Sequence, residues 1–154
     1  MAAVDAGRRA VTAADRTELL AALAAFPGRL ADAARAGAHR AVAAGEWTPE
    51  QVVRHLIASE VEVHHSRLAD LRTQDDPRWA WAEPAPWPGE PDLTLDQLLE
   101  RFAHLRTETI ALVEGLDDEG WARTGTHERL GVWDVAGVLR NAVDHDEDHL
   151  RGLI

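Results

Sequence analysis

The chain has 154 residues, with 27 acidic against 16 basic, a formal net charge of -11 and no cysteine. Disulfides, thiolate metal ligands, iron–sulfur clusters and a protein thiol nucleophile are therefore excluded, and the acidic balance opposes nucleic acid and anionic membranes as partners. The length fits a single domain over 1–154 with a buried core; no window reaches a membrane span, and without the apolar run of a secretory signal the expected location is cytoplasmic.

Residues 1 to about 12 read as a loose, alanine-rich lead-in. A first helix is expected from near Thr12 or Ala14, with Leu19, Leu20, Leu23, Phe26 and Leu30 at helical spacing. Pro27 predicts a kink or a restart there, because proline removes a hydrogen bond and clashes with the preceding turn. Gly37 and Gly45 flank a loop holding His39 and Arg40. Thr48-Pro49-Glu50-Gln51 is a helix start, with threonine as N-cap, proline at the first helical position and glutamine placed for a capping box. That second helix is expected to run to about Arg72, with Val52, Val53, Leu56 and Val63 as its buried stripe. Glu60 falls inside the stripe and needs a partner, either Arg67 or a ligand of a site. His55, at the edge beside Ser59, Glu62 and Ser66, marks a polar seam along a core.

From Thr73 to Asp92 the pattern breaks into prolines interleaved with Trp79, Trp81 and Trp87. A connection this long is functional or disordered, and three tryptophans argue for an ordered crossover in which they serve as anchors before substrate contacts. Its length frees the next helix to run parallel to the second. Thr94 caps a third helix with Leu95, Leu98, Leu99, Phe102, Leu105, Thr109 and Val113 on its apolar face, ending at Gly115, and His104 points away. A loop from Asp117 to Gly131 carries Trp121 and Thr124-Gly125-Thr126-His127-Glu128. A weakly capped fourth helix is expected from around Val132 nearly to Ile154. With no convincing strand pattern, the fold class is all-α, a four-helix bundle with a long crossover between helices two and three.

The last helix carries the chemistry. At roughly 100° per residue, His145 and His149 fall in the middle of the face shared by Val135, Val138, Leu139, Ala142 and Leu153, and side chains four apart can reach one ion. If the second and fourth helices are antiparallel neighbours, His55 lies level with that pair. His64, His65 and His104 sit on outer or lateral positions and fit less well. Three imidazoles and a water make an open site, able to activate water for hydrolysis or to hold an incoming thiol as thiolate. Asn141, Asp144 and Asp148 flank the pair and are candidates to orient imidazole N–H groups or a bound water. Glu60 is the candidate general base.

Trp47-Thr48-Pro49-Glu50-Gln51-Val52-Val53-Arg54-His55-Leu56, the Trp121 to His127 segment and His145-Asp146-Glu147-Asp148-His149-Leu150 together resemble the DinB-like family, over about Leu19 to Ile154. The resemblance implies a four-helix bundle with a long crossover, a divalent metal, zinc or nickel, held by His55, His145 and His149, and a homodimer. Characterised members of that family include S-transferases using a low-molecular-weight thiol as cosubstrate. His127 occupies a spot often histidine there, and is a candidate to support a metal ligand or to face the substrate. The expected function is a metal-dependent enzyme transferring a thiol to a small-molecule electrophile. A metal-dependent hydrolase and a non-enzymatic metal-binding or interaction protein are the alternatives.

Overall fold

Three threonines open long helices in the same way. Thr12, Thr48 and Thr94 each take extended backbone, accept from the N–H three residues on, and return their own N–H to that residue's side chain, so two amides that a helix start leaves open are satisfied. The computed structural model describes residues 10–154; residues 1–9 of the expected lead-in lie outside the described residues. The elements are α1 (Ala13–Gly37), α2 (Pro49–Ser59), a π-helical turn (Glu60–His65), α3 (Ser66–Thr73), β1 (Arg78–Trp79), α4 (Leu95–Glu114), α5 (Asp118–Ala122), β2 (Thr124–His127), β3 (Gly131–Asp134) and α6 (Val135–Leu153). No described helix is long and apolar enough to cross a membrane.

Helix α2, the π turn and α3 form one rod, so the bundle has four long helical members. Partners along the rod and α4 advance together, Glu60 with Arg106 and His65 with Thr109, so the two run parallel. The rod is antiparallel to α6: His55 meets His145 and His149, whereas Arg67 meets Trp133 just before α6 begins. The crossover makes the parallel pair possible, as expected from its length.

Arg54 fixes that crossover. Its guanidinium donates to the carbonyls of Trp87, Gly89 and Glu90 at 2.7–3.1 Å, and the Trp87 N–H donates back to the Arg54 carbonyl at 3.0 Å. Trp79 is buried and donates to Asp70, and Trp87 lies under the cations of Arg54 and Arg101. Trp81 alone of the three faces the cavity described below. Arg54→Met is expected to lower stability by roughly 2–3 kcal/mol and to open the crossover to limited proteolysis between residues 74 and 94; cleavage rates unchanged from the parent would contradict this anchoring.

Four expectations need correction. Pro27 does not restart α1, which continues through it from Ala13 to Gly37. The missing proline N–H leaves the Leu23 carbonyl without its helical donor, and Arg106 Nη1 supplies one at 3.2 Å. Second, strands are present: β2 pairs parallel with β1 and antiparallel with β3. They are too short for alternation to register, and Gly125 is needed because a Cβ there would lie 2.5 Å from the Trp79 ring. Third, residues 131–134 belong to β3, so α6 starts at Val135, with Asp134 as a strong N-cap accepting from the Gly137 N–H at 2.8 Å.

The fourth correction concerns the rod. A π turn takes up one surplus residue per turn, so the face beyond residue 60 is rotated by about one position. The inward series runs His55, Ser59, Val63 with His64, then Arg67, and not His55, Ser59, Glu62, Ser66. Glu62 is exposed and Ser66 only half-buried. His64, placed on an outer position by α-helical counting, is 3% exposed.

Two apolar clusters fill the bundle, one around Phe26, Leu56, Leu98 and Phe102, the other around Leu23, Leu71, Val113 and Leu139. Between them lies a polar layer. Arg106, 1% exposed, donates through Nε and Nη2 to both oxygens of Glu60, at 2.9 and 3.0 Å, and through Nη1 and Nη2 to both oxygens of Asp146, at 2.8 and 3.1 Å. Its plane also packs on Phe26 and Phe102. Glu60 is thus partnered by Arg106 and not by Arg67. Burial pushes the Glu60 carboxyl up, but Arg106 more than offsets this and its pKa lies below the ordinary range. Asp146, with like-charged Glu60 nearby, is lifted to about 6 by burial against the pull of Arg106.

Candidate metal centre

The polar layer ends at a cavity of about 520 Å³. Helix α2 brings His55 to its wall, α6 brings His145 and His149, and donor atoms of all three lie within 4.8 Å of one another. The His55 Nδ1–H donates to the Pro84 carbonyl at 2.7 Å, which leaves Nε2 as the bare nitrogen. That Nε2 stands 3.1 Å from His145 Nε2 and accepts from the Ser59 hydroxyl at 3.4 Å. Two nitrogens on a tetrahedral zinc-like ion would be roughly 3.3 Å apart, given bonds of about 2.0–2.1 Å. The residues present therefore fit such an ion.

The imidazoles are also in the ligand protonation state. Burial pushes the His55 and His149 pKa values down, and it carries His145 to about 3, helped by the neighbouring imidazoles of His64 and His149. Neutral rings bind metal without first losing a proton. Trp47 lies over the group, stacked on His149 at 6.4 Å and tilted against His55 at 4.9 Å, where it limits the access of water.

The other expected site residues divide. Asn141 lines the cavity. His127 does too, and is 2% exposed; its Nδ1 accepts from the Arg129 and Leu130 N–H groups at 3.0 and 3.1 Å, so the ring proton is on Nε2. Asp144 and Asp148 do not join the site: both are exposed, and Asp148 pairs with Arg151. One position along a helix turns a side chain by roughly 100°, which takes them off the face of His145 and His149. Glu60 does not reach the cavity wall, since both its oxygens are held by Arg106.

Sequence reasoning missed His64, Glu83 and the placement of Arg67, all on the cavity wall. His64 has neither ring nitrogen partnered, and burial lowers its pKa to about 4. Nothing in a single sequence signals the π turn that brings it inward; Glu83 sits in a segment without periodicity.

The comparisons with known proteins agree with this architecture. The fold is similar to that of YfiT from Bacillus subtilis, described as a probable metal-dependent hydrolase with an unusual four-helix bundle topology, at a TM-score of 0.77 and 20% identity over 96% of this chain and 88% of that one. No curated protein matches the sequence. The profile described as the DinB superfamily matches residues 9–153. With nearly the whole described chain inside that match, the protein belongs to the DinB superfamily.

Proposed function

We propose that the chain is a metal-dependent enzyme that holds a divalent ion, zinc or nickel, on His55, His145 and His149 and transfers a low-molecular-weight thiol to a small electrophile. What carries the reading is the convergence of three neutral imidazoles on the wall of a cavity of about 520 Å³. An ion bound there supplies Lewis acidity, which turns a bound thiol or water into its anion near neutral pH. The chain's own residues orient and shield. Pro84 fixes the His55 ring, Ser59 donates toward the donor nitrogens, and Trp47 excludes bulk water. With no cysteine in the chain, the thiol arrives as a cosubstrate.

Transfer is put ahead of hydrolysis on the resemblance to the thiol S-transferases of the DinB-like family. Glu60, held on Arg106, is not available as a base in either reaction. Hydrolysis is the second reading, favoured by Glu83, the one carboxylate among the described residues lining the cavity. Metal analysis of purified protein is expected to give close to one zinc or nickel per chain, with loss in His55→Ala and in His149→Ala. Full metal content in both variants would overturn the site. Consumption of an activated aryl halide that requires both metal and added thiol supports transfer, whereas thiol-independent turnover of a p-nitrophenyl ester moves the assignment to hydrolysis.

A further inference from the structure

Among the described residues Arg67 is the one arginine on the cavity wall, and it is 6% exposed. The other two buried arginines among the described residues have acidic or carbonyl partners: Arg106 has Glu60 and Asp146, and Arg54 has Glu50 and three crossover carbonyls. Arg67 has no hydrogen bond or ion pair among the described residues. Its guanidinium is instead flanked by the rings of Trp79 and Trp133, each 5.8 Å away. A guanidinium that opens only on the cavity and has no counter-ion is incompletely solvated, and cation–π contact with two indoles offsets part of this.

The rest of the lining offers hydrogen bonds more than charge. Among the described residues Glu83 is the only acidic side chain on the cavity wall, and the five histidines there are held neutral by burial. His64, beside Arg67 on the rod, has both ring nitrogens buried without partners. The His127 Nε2–H belongs to a ring that also lines the cavity and feels the Arg67 charge. With its cation near two indole rings and no hydrogen bond made, the planar fork keeps its N–H groups for a planar acceptor, the geometry that a carboxylate matches with two parallel bonds.

From this we infer that Arg67 is the docking point for a carboxylate on the substrate, which would lie in the cavity with its anionic end at Arg67 and its reactive end toward His55, His145 and His149. The inference rests on reading the cavity as a substrate chamber, but not on the metal. It narrows the substrate class to small carboxylic acids, of a size that a cavity of about 520 Å³ encloses.

Calorimetric titration with benzoate, acetate and maleate, each set against its uncharged amide, tests this on the protein as purified and again after treatment with a chelator. At least one carboxylate is expected to bind with a preference of about tenfold or more over its amide, with and without metal. In Arg67→Gln, checked for native circular dichroism, that preference disappears. Arg67→Lys, which keeps the charge but not the fork, retains part of it and serves should the glutamine variant not fold. Equal binding of acids and amides, no saturable binding by any of the three acids, or an undiminished preference in the Arg67 variants overturns the inference. A preference that persists after metal removal, combined with failed metal analysis, would sink the proposed metal site and leave this one standing.

Discussion

Replacing Arg106 by methionine is expected to destabilise the fold by about 3–5 kcal/mol, because removing the shared cation leaves two uncompensated buried carboxylates. Glu60 and Asp146 approach it through four hydrogen bonds, with every partner at most 2% exposed. The Leu23 carbonyl loses its donor as well, and cannot recover one from Pro27. Urea unfolding measures the loss. A companion variant with Arg106→Met, Glu60→Leu and Asp146→Leu together should regain most of it, since apolar replacement of a whole buried ion cluster is near neutral or stabilising. A loss in the single variant of no more than about 1 kcal/mol, the range of surface pairs, would show that the layer is not a buried ionic unit.

Acidification should destabilise the metal-free protein steeply, and His64 should account for much of the effect. Its folded pKa lies at about 4 against an ordinary 6.5, because burial disfavours the imidazolium. Between those values the unfolded chain binds a proton that the folded one does not, so stability falls as pH falls through that window. A separation of this size corresponds to about 3 kcal/mol. Asp146 acts in the opposite sense: lifted to about 6 from 3.8, it takes up a proton in the folded state first and offsets part of the loss below pH 6. His64→Leu, unfolded by urea across the same pH series after treatment with a chelator, isolates the share of His64 from that of His145, which burial carries lower still. Its stability should vary less between pH 6.5 and 4 than that of the parent; parallel curves would mean that His64 titrates normally.

The sequence was legible where a local rule decided the outcome. Three threonine capping boxes set the helix starts, helical spacing placed His145 and His149 together, and the length of the crossover implied the parallel pair that brings His55 level with them. Legibility failed where a tertiary partner overrode the local rule. Pro27 should break α1, and does not, because a guanidinium from α4 supplies the missing donor. Glu60 looked like a base because its stripe faced inward, yet its partner lay on another helix. Asp146, one of a run of acids, is buried while Asp144 and Asp148 remain outside. The strands of the small sheet escaped notice because their longest run is four residues and the parallel partner is only two.

The π turn between Glu60 and His65 amounts to a surplus of one residue, and that surplus decides what the rod offers the cavity. Deleting one residue within this turn would remove the surplus and restore regular α-helix while Arg67 keeps its inward phase, because α-helical counting then reaches it directly from His55 and Ser59. What the surplus adds is a second inward residue at one level, Val63 beside His64, so a one-residue shortening there would trim the cavity wall at that level alone and leave Arg67 and the metal-facing half of the helix in place.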